Sequence, residues 1–270
     1  MIKDILAFAN ENTLADQTVE LPLSLARRFG ARLSAVYVDP PPYTYIPIEP
    51  GMTSGKVADA AVQSAQKALA DIAARFNSLK QARQFSGDWH VVKWWDEAIS
   101  LSYQSDLLVI RQSESALPEI ISGEGPEHVA LTSGRPTLVL PAKGSFKDCG
   151  HRVLVAWKPT KESTRAVHDS IALMQSDATV TILEVDPPQK AKTADTMANH
   201  LQRLGIKAAP ETAKSGSASV GKVIIDRAKA INADLVVMGA YGHSRLRELV
   251  LGGVTREMLD GMTVPVLMSH

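Results

Sequence analysis

The sequence predicts an α/β protein built from two consecutive parallel-sheet domains. Three observations predict it. Short apolar strands alternate with helical segments, the same order of segments occurs twice, and the second copy ends in a strand, a glycine-rich loop and a helix start. Alternating strands and helices imply parallel βαβ units. Continuously apolar strands imply a sheet covered on both faces.

The chain opens on the strand Asp4-Ile5-Leu6-Ala7-Phe8-Ala9. A helical segment at 21–29 follows, then a second strand at 31–38 that stops at Asp39-Pro40. The order returns in Arg152-Val153-Leu154-Val155-Ala156-Trp157, a helical segment at 166–174, and a strand at 178–185 that stops at Asp186-Pro187. Asp106-Leu107-Leu108-Val109-Ile110 answers Asp234-Leu235-Val236-Val237-Met238, and Arg135-Pro136-Thr137-Leu138-Val139-Leu140 answers Thr263-Val264-Pro265-Val266-Leu267-Met268. Asp4 and Asp106 are 102 residues apart, Arg152 and Asp234 only 82. The roughly 20 added residues are expected in a Pro- and Tyr-rich loop at 40–55. Each unit should hold five strands and four helices, with longer helices over 57–76, 193–204 and 220–231. Gly144, Ser145 and Gly150 mark the boundary, which divides the chain into units 1–144 and 150–270.

The balance of 29 Lys plus Arg against 29 Asp plus Glu offers no basic excess, so no nucleic-acid partner is expected. No run of about 18 apolar residues is present, so no membrane partner is expected either. The single cysteine, Cys149, rules out an intramolecular disulfide. With an acid at Asp4 where a signal peptide needs basic residues, the expected location is cytoplasmic.

Chemistry concentrates after the buried strand 235–238. There the chain runs Gly239-Ala240-Tyr241-Gly242-His243-Ser244-Arg245, then Gly252-Gly253-Val254-Thr255 before a helix. Glycines let backbone N–H groups approach a ligand, and a helix N-terminus favours an anion. Loops at the carboxyl ends of parallel strands are where open α/β sheets bind ligands.

The spacing G-x2-G-x9-G, met by Gly239, Gly242 and Gly252, resembles the ATP-binding signature of the universal stress protein (UspA) family. The resemblance runs through the chain twice. It implies two tandem flavodoxin-like (adenine nucleotide alpha hydrolase-like) domains, each with a five-stranded, mostly parallel sheet. It implies that they pack about a pseudo-two-fold axis through their last strands, as an intramolecular pseudo-dimer. A homodimer of the whole chain is compatible with that arrangement. The implied ligand is an adenine nucleotide, ATP or AMP, with or without magnesium. Its adenine would lie between Ala156 and Trp157 on one side and Val185 on the other, with Lys158 beside them placed to meet a phosphate instead. Its phosphates would lie along Met238, Gly239, Gly242, His243, Gly252, Gly253, Val254 and Thr255.

Two positions depart from the family's pattern. Gly253 stands where the family has Ser or Thr, and Lys158 where its ATP binders have Asp. Lysine cannot accept a hydrogen bond. The first copy lacks the loop: Arg111-Gln112-Ser113-Glu114-Ser115 follows its strand, and Glu124 and Glu127 would repel phosphate. No ATP is expected there; a different ligand would lie under the 40–55 loop. A stress or signalling module regulated by nucleotide, an interaction scaffold with decayed pockets, and a slow ATPase all fit the chain. No general base or magnesium-binding acid is arranged for the last, so no catalytic residue is assigned.

Other signals carry less. Gly216-Ser217-Ala218-Ser219-Val220-Gly221-Lys222-Val223 misses the P-loop hydroxyl at its last position and reads as a helix entry. Gly242-His243-Ser244 lacks the second glycine of a hydrolase elbow. Trp89, Trp94 and Trp95 read as packing or interface residues. His90, His128 and His151 show no metal-ligand spacing, and Tyr43 and Tyr45 read as loop anchors.

Overall fold

A computed structural model of the chain describes residues 1–9, 16–39, 55–112, 125–188, 192–240 and 253–270. Strands β1 (Asp4–Ala9), β2 (Arg32–Val38), β3 (Trp89–Val92), β4 (Leu107–Arg111) and β5 (Thr137–Leu140) alternate with helices α1 (Asp16–Phe29), α2 (Gly55–Arg83), α3 (Trp95–Ser102) and α4 (Pro126–Thr132). The pattern repeats in β6 (Arg152–Trp157), α5 (Lys161–Ser170), β7 (Thr179–Val185), α6 (Thr193–Arg203), β8 (Lys207–Ala213), α7 (Val220–Ala230), β9 (Leu235–Gly239), α8 (Gly253–Gly261) and β10 (Val266–Ser269).

The strands form one sheet in the order β3-β2-β1-β4-β5-β10-β9-β6-β7-β8. Every neighbouring pair is parallel except β5 and β10, which run antiparallel with Leu138 opposite Leu267. Each half therefore has the same internal order, and the last strands join the two flavodoxin-like halves back to back. Main-chain pairing turns two five-stranded sheets into a single ten-stranded one. Leu138, Val139, Val266, Leu267 and Met268 are wholly buried at this seam. At about 1.5–3 kcal/mol per buried aliphatic side chain, parting the halves is costly.

Helices cover both faces. On one, α1, α2, α5 and α6 pack through Leu21, Leu25, Phe76, Val167, Ala198 and Leu201. On the other, α3, α4, α7 and α8 pack through Ile99, Val129, Ile224, Met258 and Leu259. This three-layer arrangement explains why the central strands are apolar throughout rather than alternating.

Aspartates at equivalent positions tie each half together. Asp106 Oδ2 accepts from the backbone N–H of Lys3 (2.7 Å) and Asp4 (3.0 Å), ahead of β1. Asp234 accepts from the N–H of Gly150 (2.8 Å), His151 (3.1 Å) and Arg152 (3.1 Å), ahead of β6. Asp234→Ala strips a charged acceptor from three amides and is expected to lower stability by about 3 kcal/mol, read by urea unfolding.

Between the halves, Arg28 of α1 donates to the carbonyls of Cys149 (3.1 Å) and Leu173 (2.9 Å). Gly150 has φ +96, and a β-carbon there would lie 2.0 Å from the Leu173 carbonyl oxygen, so only glycine passes. Cys149 is fully buried, and burial pushes its thiol up to about 12, which removes it as a nucleophile near neutral pH.

The added length of the first half is not confined to a loop. Helix α2 has 29 residues against 11 in its counterpart α6. The Ala-rich run at 59–84 continues the helix well beyond the expected end at residue 76. Most of 40–55 lies outside the described residues, Tyr43 and Tyr45 included. Trp89 packs on Phe76 and Tyr37, and Trp95 stacks on Phe8 at 5.9 Å, while Trp94 stays half exposed.

Candidate functional site

In the second half, β6, β7 and β8 succeed each other in one direction across the sheet, and β9 and β10 in the other. The order reverses between β6 and β9, where Ala156 pairs with Met238. The crevice outside the carboxyl ends at such a switch point is the ligand position of open α/β sheets. Ala156, Val185 and Val254 face it from the α7/α8 side of the sheet, together with Ala213 and Val220. Ala213 and Val220 were not anticipated; they could have been found from the end of β8 and the start of α7.

Gly239 closes β9 at the crevice. A β-carbon there would lie 2.5 Å from Ser163 N and 2.7 Å from the Glu162 carbonyl carbon. The first turn of α5 therefore rests directly on this glycine. That turn is well capped: the Thr160 hydroxyl accepts from Ser163 N at 3.2 Å, and Thr160 N donates to the Lys158 carbonyl at 2.7 Å. Burial pushes the Glu162 carboxyl up, but hydrogen bonds from its own amide and the Thr160 hydroxyl, with Lys161 nearby, outweigh this and hold it below its ordinary value.

A carboxyl with a depressed folded-state value contributes stability above its ordinary value. That contribution is lost as pH falls through the folded value. Glu162→Gln is expected to flatten the acid side of the melting-temperature profile between about pH 5 and 3 while leaving the neutral side parallel to wild type.

Across the crevice, α8 begins at Gly253. Its β-carbon position meets no atom within 4 Å, so a side chain there would enter open space. Val254 is half-buried and Thr255 is buried in the first turn. Gly242, His243 and Gly252 lie outside the described residues. Lys158 is exposed at the β6–α5 junction.

Trp157 occupies a different place from the one expected of its side chain. Its backbone ends β6, but successive strand residues face opposite sides, so its indole belongs to the α5/α6 layer. Its Nε1–H donates to the Thr193 hydroxyl (3.1 Å), which in turn donates to Glu184 Oε2 (2.7 Å). Strand alternation alone could have separated Trp157 from Ala156.

The P-loop-like stretch at 216–223 enters helix α7, with Ser219 as its N-cap. Glu257 of α8 accepts from Gly221 N at 3.1 Å, so a carboxylate of the chain already sits where an anion would bind. In the first half, Arg111 holds the position of Gly239. Its guanidinium donates to the carbonyls of Ala142 (2.7 and 3.1 Å) and Gly144 (3.1 Å) on the α1/α2 face of the sheet, so a long cation stands where the second half has a glycine. Gln112 beside it donates to the Leu259 carbonyl of the second half at 2.7 Å. Among the described residues, no three metal-ligating side chains come together. No helix among them is long and apolar enough to cross a membrane.

A doubly wound sheet with Gly239 at its switch point defines an α/β protein of the flavodoxin-like class. Residues 150–270 match the model of the universal stress protein family. Over these residues the chain is similar to universal stress proteins. Universal stress protein Slr1230 of Synechocystis sp. is 38% identical over 80 residues, which are 30% of this chain and 27% of that relative's length. A universal stress protein from Archaeoglobus fulgidus DSM 4304 superposes with a TM-score of 0.72 at 17% identity, over 98% of this chain and 95% of its own. Protein PA1789 from Pseudomonas aeruginosa PAO1 follows at 0.57 and 13%, over 99% and 92%. Both structural likenesses span the two halves and bear on the fold.

Proposed function

We propose that the chain is a cytoplasmic stress-response protein that binds an adenine nucleotide, ATP or AMP, in its C-terminal unit and does not turn it over. Units 1–144 and 150–270 are two copies of one domain, and only the second keeps a nucleotide site. The observations that carry the reading are Gly239 at the carboxyl end of β9, beside the β6/β9 switch point, and the open space around Gly253 at the start of α8. Adenine would lie against Ala156 and Val185, and phosphates along the 239–255 segment toward the α8 N-terminus. Magnesium, if it accompanies ATP, would be held by phosphate oxygens and water, since no carboxylate of the described crevice is free for it: Glu162 is tied into the α5 cap and Glu257 into α7.

Lys158 and Gly253 favour the alternative of an interaction protein with a decayed pocket. The two readings part on what the purified protein carries. Protein purified without added nucleotide, then heat-denatured, is expected to release adenine nucleotide in a substoichiometric to one-to-one amount by chromatography. A nucleotide-free supernatant, together with no uptake of added ATP or AMP, supports the scaffold.

A further inference from the structure

A second cleft lies on the opposite face of the C-terminal half, between α5 and α6. It has a volume of about 390 Å³ and is lined by Trp157, His168, Thr193, Met197, His200 and Arg203. The last four fall at helical spacing along α6, beside the stripe Ala194, Ala198 and Leu201 that packs into the core. The His168 and His200 rings stand edge to face at 5.2 Å. His200 Nε2 is shielded from solvent and has no hydrogen-bond partner among the described residues. Arg203 forms no ion pair among the described residues. The cleft thus offers an indole and a thioether on its floor, and two imidazoles and a guanidinium above them.

The repeat makes this combination specific to the second half. Ala9 ends β1 where Trp157 ends β6. The corresponding space between α1, α2 and the sheet is a cavity of about 20 Å³ lined by Ala7, Ala9, Val19, Phe76 and other apolar side chains, with Arg111 its one charged residue. It has no imidazole and no room for a ligand.

We propose that the α5/α6 cleft binds a small aromatic carboxylate, its ring against Trp157 and Met197 and its carboxylate on Arg203. Arginine is the side chain suited to bidentate recognition of a carboxylate, and an indole and a thioether both favour an aromatic ring. A divalent metal on the two imidazoles would have to sit beside the Arg203 cation, which disfavours it. This inference does not depend on nucleotide binding, since the cleft opens on the other face of the sheet.

The test is a titration of the full-length, 15N-labelled protein with 2-naphthoate, followed at the Trp157 indole N–H resonance, which is assigned by its loss in Trp157→Phe. Inorganic phosphate and zinc chloride are titrated separately. The cleft as proposed gives a saturable shift of that resonance with 2-naphthoate and none with phosphate. Arg203→Gln, at an exposed position, is expected to keep the wild-type melting temperature and to weaken binding about tenfold. No shift at millimolar 2-naphthoate overturns the proposal. So does equal affinity in Arg203→Gln, an equal response to phosphate, or saturation by zinc alone.

Discussion

Gly239→Ala is expected to lower the stability of the chain by about 3 kcal/mol and to remove nucleotide binding at the same time. The added carbon would lie 2.5 Å from Ser163 N and 2.7 Å from the Glu162 carbonyl carbon, both backbone atoms. Strand β9 cannot recede, because it is paired with β6 on one side and β10 on the other. The start of α5 must move instead, which breaks the Thr160 cap on Ser163 N and loosens the buried Glu162. Gly253→Ala is the internal comparison. Its β-carbon meets nothing within 4 Å, and alanine is the better helix former, so stability should hold or rise by about 0.5 kcal/mol. Urea unfolding of the two variants beside wild type measures both. Equal stabilities for Gly239→Ala and wild type would mean that α5 does not rest on Gly239.

The double substitution Lys158→Asp with Gly253→Ser is expected to tighten AMP binding about tenfold, as measured by isothermal titration. Aspartate gives the end of β6 an acceptor where lysine offers only donors. Serine adds a hydroxyl at the start of α8, where the space for it is open. Each new hydrogen bond contributes about 0.5–1.5 kcal/mol, so the pair accounts for about one order of magnitude. AMP is the better probe than ATP, because its single phosphate limits any compensating attraction to the Lys158 ammonium. Weaker AMP binding in Lys158→Asp alone would assign Lys158 to the phosphate and reverse the expected orientation of the ligand.

Features governed by local pattern were legible in the sequence. The repeat of Asp-Pro stops and the paired Asp106 and Asp234 lead directly to two halves of one topology, and the family resemblance implies the junction through the last strands that β5 and β10 make. What escaped depends on contacts distant in sequence. The length of α2 was understated because helical periodicity is weak in an Ala-rich stretch that ends in polar residues. Trp157 was grouped with Ala156 by adjacency, although alternation sends its indole to the Thr193–Glu184 pair on the other face. The occupant of the α7 N-terminus, Glu257, lies 36 residues beyond Gly221 and carries no signal of its own. Arg111 was visible as the loss of a glycine, but its anchoring to the Ala142 and Gly144 carbonyls requires the fold. The α5/α6 cleft combines His168 with an α6 stripe that, in sequence, reads only as an amphipathic helix.

Thermal unfolding with and without millimolar ATP and magnesium, on wild type and on Gly242→Asp, tests the central claim most directly. A ligand that binds only the native state must raise its melting temperature. The account predicts a rise of several degrees in wild type that disappears in Gly242→Asp, where a carboxylate would face the phosphates. An unchanged melting temperature in wild type, or an equal rise in both proteins, would contradict a nucleotide site on the 239–255 loop.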